Sequence, residues 1–241
     1  MTMKKLTKLI FIAMAGFYMS NINADEVPAK VETAAPEANV TEERSSEKQE
    51  TIPLTPRQAL VRLMDGNLRY IQDKLLHPNR SQERRLAVVN AQTPFAIILG
   101  CSDSRVAPEI VFDQGIGDLF VVRVAGNVAG PIELDSIEYS GLYLGSSIVL
   151  VLGHESCGAV TAVVQHNTKE IENIAELIEP AVKASAILPG NRIENAVKAN
   201  VRMTVDYLKK TPNISKLIHE GKLDVIGGYY HLNNGEVEIL R

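Results

Sequence analysis

The chain has 241 residues, of which 45% are hydrophobic and 22% charged, and carries a formal net charge of −4. That balance suits a folded protein of one or two domains and excludes disorder throughout. The lack of a basic surplus argues against duplex nucleic acid as the main partner, and two cysteines, Cys101 and Cys157, are too few for a disulfide-rich scaffold.

Lys4, Lys5 and Lys8 form a basic start, followed by an apolar run over 9–17 and by small and polar residues as far as Ala24. The run is shorter than the roughly 20 residues a membrane span needs. The layout over 1–24 is that of a secretory signal peptide cleaved after Ala24. It implies export across the inner membrane to the periplasm, with no membrane span in the mature chain. Residues 25–50 carry eight acidic and three basic side chains and almost no large apolar ones. Such a segment cannot bury a core and reads as an acidic flexible tether. The folded domain is expected over 51–241.

Thr55 as N-cap and Pro56 in the first turn open a helix, on which Leu60, Leu63, Met64, Leu68 and Ile71 fall near one face. A second helix is expected over 81–90. Apolar runs at 95–100, 119–124 and 147–153 are strand-length and rich in β-branched residues. Helical stretches at 132–144, 156–165 and 191–209 separate the later pieces. Residues 223–232 read as a fourth strand and 236–240 as a short edge strand. Strands alternating with helices predict an α/β domain, a mainly parallel central sheet flanked by helices. Ligands in such folds bind beyond the carboxyl ends of the strands.

Two of those strand ends carry chemistry. The strand over 95–100 runs into Cys101-Ser102-Asp103-Ser104-Arg105, and that over 147–153 into His154-Glu155-Ser156-Cys157-Gly158. His154 and Cys157 are three apart at an expected helix start, where such residues share a face and where the N-terminus favours thiolate. Three readings of the cysteines stand: a disulfide, as in many exported proteins, buried core thiols, and a metal site. Two thiolates and an imidazole make a soft set suited to Zn²⁺, with a fourth position open as in catalytic sites. His154 and the Asp103/Arg105 pair have no role beside a plain crosslink, which favours the metal.

Cys-Ser-Asp-Ser-Arg at 101–105 with Gly-His-Glu-Ser-Cys-Gly at 153–158 resembles the two signature motifs of the β-class carbonic anhydrases. Phe-Val-Val-Arg-Val-Ala-Gly-Asn at 120–127 and Ser-Ile-Glu-Tyr at 136–139 fit the same resemblance, which runs over most of 51–241. It implies reversible hydration of CO₂ to bicarbonate and a proton, with one zinc per subunit held by Cys101, His154 and Cys157 and a hydroxide in the fourth position as nucleophile. Asp103 would orient that hydroxide and Arg105 would keep Asp103 ionised. Gln92, Phe120 and Tyr139 take the positions where relatives line the CO₂ pocket, and Gly158 offers a backbone N–H near the metal. The clefts of the family lie between subunits, which implies a homodimer or a dimer of dimers.

Some members shut themselves off by moving the aspartate onto zinc, aided by a bicarbonate site that needs a Trp. Ile98 stands at the matching position and the chain has no Trp, although Arg123 matches the arginine of that site. The resemblance is therefore to the constitutively open subgroup. With two thiolates cancelling the charge of zinc, hydration should rise with pH as one gentle titration through neutrality. His77, His166, His219 and His231 receive no role. Competing readings are a noncatalytic zinc-binding protein of the same fold, a hydrolase of carbonyl sulfide or carbon disulfide, and a metal-free, disulfide-stapled protein.

Overall fold

A computed structural model of the protein describes residues 53–240. The signal peptide and the tether expected over 1–50 lie outside the described residues. Five strands form one sheet: β1 (Ala96–Gly100), β2 (Leu119–Arg123), β3 (Ile148–His154), β4 (Asp224–Tyr230) and β5 (Val237–Leu240). Their order is β2-β1-β3-β4-β5. All neighbours are parallel except β4 and β5, so the antiparallel strand lies at one edge. The α/β architecture and the five strands are those expected.

Both faces of the sheet are covered, as a parallel sheet requires. Side chains alternate between faces with period two. Ile97 and Leu99 of β1 and Val149 and Val151 of β3 pack into one core; Ala96, Ile98, Ile148, Leu150 and Leu152 pack into the other. The first core is closed by α4 (Pro131–Tyr139), α5 (Gly158–Val164), α6 (Glu172–Ser185), α7 (Arg192–Lys210) and α8 (Pro212–His219). The second is closed by α1 (Pro56–Ile71) and the single turn α3 (Pro108–Val111). The remaining helix, α2 (Gln82–Ala87), buries no side chain.

Local chemistry explains most helix ends. Thr55 and Gln58 form a reciprocal capping box at α1, and Pro56 follows at the first position. Ser81 caps α2, which stops at Ala87, short of the expected 90. Asn191 caps α7 through the Ile193 and Glu194 amides. Residues 132–144 begin as α4 and end in a π turn over Ser140–Leu144, closed by Gly145 in the left-handed region. The sequence reading missed α3, α6 and α8. In α6 the N-cap Ile171 makes no side-chain bond and Pro180 lies inside the helix, so the start signal is absent and the proline reads as a breaker, although Ala175, Ile178, Ala181, Val182 and Ser185 are buried at helical spacing.

The inner face of α1 also differs from the expected one. Its buried residues are Ala59, Leu63, Gly66 and Asn67, whereas Leu68 and Ile71 are exposed. Asn67 explains the rotation. Its amide donates to the Val111 and Gly235 carbonyls at 3.1 and 2.8 Å and accepts from the Val237 amide at 3.0 Å. These bonds tie α1 to α3 and β5, and they satisfy every group they bury. Leu68 and Ile71, with Val61, Leu76, Leu86 and Val89, are left as exposed apolar side chains.

Close packing of α1 makes Gly66 a test of this arrangement. A β-carbon there would stand 1.8 Å from the Phe112 carbonyl oxygen, a backbone atom with no freedom to yield. In an exposed helix, Gly-to-Ala gains about 0.5–1 kcal/mol. Here the sign reverses: Gly66→Ala is expected to destabilise by roughly 1–3 kcal/mol. An unchanged or raised thermal midpoint would refute the packing of α1 on this carbonyl.

Candidate metal centre

β1 and β3 are adjacent and in register, with Gly100 opposite Leu152. Cys101 is the first residue beyond β1, and His154 is the last residue of β3. Neighbouring parallel strands lie about 4.8 Å apart, so the two side chains leave the sheet side by side. Cys157 arrives three residues later as the N-cap of α5. His154 and Cys157 therefore do not share a helix face, contrary to the sequence reading. The chain turns between them through Ser156, whose φ is +53°, and that turn swings the second sulfur back over the sheet end.

The ligand-type atoms of Cys101, His154 and Cys157 lie within 4.8 Å of one another, and all three residues are buried. Both cysteines are free thiols, which sets aside the disulfide. His154 Nδ1 is 2.9 Å from the Glu155 carbonyl oxygen. A carbonyl only accepts, so the proton sits on Nδ1 and the lone pair on Nε2. Nε2 is buried without any hydrogen-bond partner. A buried acceptor left bare is costly, and here it faces two sulfurs. One borderline imidazole nitrogen and two soft sulfurs with no protein partner for the nitrogen fit a Zn²⁺ ion.

The thiols share protons unequally. The Cys157 S–H beside it pulls the Cys101 thiol well below its ordinary range, helped by the Gly126 amide and opposed by burial. The same contact and burial push Cys157 well above the ordinary thiol range, against the pull of the Val160 and Ala159 amides at the start of α5. One thiolate thus forms readily while the second needs positive charge nearby, which a divalent cation brings.

Asp103 and Arg105 stand at the mouth. The Arg105 guanidinium donates to both Asp103 carboxylate oxygens at 2.9 and 2.8 Å, and the Arg105 amide adds a third bond at 2.9 Å. These bonds hold the Asp103 carboxyl far below the usual carboxylate range. Asp103 Oδ2 lies 3.8 Å from His154 Nε2. Arg105 also reaches the Ser156 carbonyl at 3.4 Å, so one side chain bridges both loops.

The other expected site residues divide. Gly158 opens α5 and is exposed, and a β-carbon there would meet nothing within 4 Å. Phe120 and Tyr139 have ring centroids 6.3 Å apart. Gln92 and Tyr139 line an open groove with Tyr143 and Leu144. The residues that line this groove do not include Cys101, His154 or Cys157. Ile98 is fully buried in the core. Arg123 spends its guanidinium on the Cys101 and Asp103 carbonyls, at 3.0 and 2.7 Å. Sequence reasoning had matched it to a bicarbonate site, and did not find that it clamps the metal loop. It also missed Glu155, whose carboxylate accepts from the Leu232 amide at 2.9 Å and fixes the turn after β4. A 77-residue separation leaves no local signal for that bond.

A buried set of two thiols and an imidazole at the carboxyl end of a mainly parallel sheet, flanked by an ionised aspartate, is the donor set of an α/β enzyme that could hold a metal. A family model described as carbonic anhydrase matches residues 96–237. A carbonic anhydrase of Mycolicibacterium smegmatis is 38% identical over 73% of this chain and 89% of its own length. Carbonic anhydrase 2 of Mycobacterium tuberculosis is 38% identical over 72% and 87%. Among solved structures, the β-carbonic anhydrase CcaA superposes with a TM-score of 0.60 at 26% identity, covering 76% of this chain and 95% of that one. The Coccomyxa β-carbonic anhydrase in complex with acetazolamide gives 0.59 at 29%, covering 64% and 75%. The chain belongs to the carbonic anhydrase family, in its β class, and carbonic anhydrase activity comes with that membership.

The ligand set has a direct test. Cys101→Ser, His154→Ala and Cys157→Ser are each expected to lose bound zinc and CO₂ hydration together, measured as metal per chain and as turnover on one sample. Full zinc occupancy with normal turnover in any of the three would remove that residue from the set.

Proposed function

We propose that the protein hydrates CO₂ reversibly through one zinc ion per subunit held by Cys101, His154 and Cys157. The observation that carries this reading is the bare, buried Nε2 of His154 facing two free thiols. Zinc bound there supplies a Lewis acid that brings the pKa of water down toward neutrality.

The chain's own residues do the rest. Asp103 is acceptor-only when ionised, so it takes a hydrogen bond from the nucleophilic oxygen and turns that oxygen's lone pair toward the CO₂ carbon. Arg105 fixes the carboxylate by the paired bonds above, which set direction as well as charge. Arg123 holds the backbone that carries both Cys101 and Asp103. The Gly158 amide, at the open start of α5, is positioned to donate to a product oxygen.

The apolar pocket belongs to a pair of subunits in this reading. Gln92, Phe120 and Tyr139 supply an amide and two aromatic walls for a nonpolar substrate, contributed across the interface of a homodimer. Exposed apolar side chains on α1 and α2, together with Tyr143 at 75% exposure, support such an interface. Activity on carbonyl sulfide or carbon disulfide would use the same site, and a noncatalytic role would leave the Asp103–Arg105 pair without a task. The basic start, short apolar run and acidic segment support export, with a mature chain from Asp25 in the periplasm. Among the described residues no helix is long and apolar enough to cross a membrane.

Asp103→Ala is expected to keep zinc and lose most of kcat/KM. Loss of zinc as complete as in Cys101→Ser would make Asp103 a ligand instead. Because Arg105 holds the Asp103 carboxyl far below its ordinary range, that carboxyl adds no acid limb near neutrality. The wild-type profile should therefore show one gentle rise with pH, and a steep, cooperative collapse below about pH 8, worsened by bicarbonate, would overturn the open-subgroup assignment. Protein recovered from an exporting bacterial host should begin at Asp25 by intact mass and sediment as two chains or more. A retained Met1 in the cytoplasmic fraction refutes export, and a fully active monomer refutes the shared pocket.

A further inference from the structure

A short 3₁₀ turn, Ala125–Asn127, follows β2 and passes behind Cys101. Gly126 and Asn127 take φ values of +74° and +46°, two consecutive residues in the left-handed region. Such a turn is strained unless its surroundings hold it. A β-carbon on Gly126 would stand 2.7 Å from Ile178 Cδ1 on α6 and 3.3 Å from Ala159 Cβ on α5, so the turn is wedged between two helices. Its geometry aims the Gly126 amide at Cys101, with N to Sγ 3.3 Å.

The side chain of the turn's own Asn127 does not secure it. That residue is fully buried, and neither its Oδ1 nor its Nδ2 has a partner. The tie comes from across the molecule. Asn200 on α7 donates from Nδ2 to the Gly126 carbonyl at 2.8 Å, between residues 74 apart in sequence. Asn200 is 1% exposed, in a helix whose neighbouring buried residues, Ala196, Val197 and Val201, are apolar.

We infer that Asn200 is a positioning residue for the metal centre, holding the turn whose Gly126 amide donates to the Cys101 sulfur. The inference rests on the reading of Cys101 as a zinc ligand. Without Asn200 the Gly126 carbonyl is a buried acceptor with no donor, which is costly. The turn relieves that cost by rotating its peptides, and the amide then leaves the sulfur. A donor on a ligating thiolate fixes its lone pairs and draws charge from it. Removing partners of this kind typically costs about 10–100-fold in metal affinity.

The full-length protein tests this through zinc affinity by chelator competition and through the sulfur-to-cobalt charge-transfer band of the Co²⁺-loaded form. Asn200→Ala is expected to weaken zinc about tenfold or more and to move the band to longer wavelength, because the sulfur loses a donor. Leu208→Ala removes buried apolar volume further along the same helix. It is expected to lower the thermal midpoint while leaving affinity and band at wild-type values. Wild-type affinity and band in Asn200→Ala, or the same changes in Leu208→Ala, would overturn the inference. If Asn200→Ala does not fold, Asn200→Leu keeps the volume without the donor and is read by the same two measurements. Cys101→Ser separates the two levels: wild-type zinc affinity in that variant sinks the ligand reading itself. Zinc lost in Cys101→Ser with Asn200→Ala unaffected sinks only the role of Asn200.

Discussion

The parallel pairing of β1 with β3 is the constraint on which the site depends. It brings Gly100 opposite Leu152, so that Cys101 and His154 emerge together at the carboxyl end of the sheet. A slip of one residue would turn every side chain of a strand to the other face. That would send Ile97 and Leu99 out of one core and Ile98 out of the other. Register is therefore held by two hydrophobic cores at once, and the ligand geometry follows from a packing requirement unrelated to metal. The third ligand adds one local device, the Ser156 turn that places Cys157 at the start of α5.

Around the three ligand residues, nearly every bond is made to backbone. Glu155 O sets the His154 tautomer, Arg123 holds two carbonyls of the Cys101 loop, and the Gly126 amide meets the Cys101 sulfur. Side chains with directional donors fix loops here, because a loop has no ladder of its own to stiffen it. Arg105 is the exception that bonds a side chain, and it joins both loops through Asp103 and the Ser156 carbonyl. Its fork geometry explains why an arginine, with two parallel donors, stands there rather than a lysine. The charge on Asp103 is secured by those bonds more than by burial, since burial opposes it.

The strands and the ligand loops were legible in the sequence because their signals are local. A strand is a short β-branched run, and β1 and β3 end directly in the Cys-Ser-Asp-Ser-Arg and His-Glu-Ser-Cys loops. The helix capped by Thr55 and the one capped by Asn191 were legible for the same reason. Where the signal is diffuse, the sequence reading failed. The helix Glu172–Ser185 has an uncapped start and an internal proline. The inner face of α1 is chosen by Asn67, a polar residue that apolar periodicity discounts.

By itself the sequence determined the α/β class, the three candidate ligands, the Asp103/Arg105 pair and the composition of an unusual N-terminal segment. All of these are properties of residue type and near-neighbour spacing. Tertiary structure alone decided which nitrogen of His154 is bare, that the two thiols stay unlinked, and that Arg123 serves the metal loop. It alone decided that Gln92 and Tyr139 line one groove whose walls include none of the three candidate ligands, and that Asn200 bonds the Gly126 carbonyl. The His154 tautomer is set by the neighbouring Glu155 carbonyl, and the other facts depend on bonds and contacts between residues tens of positions apart. Such bonds form only after the sheet has buried its two faces, and no local pattern records them.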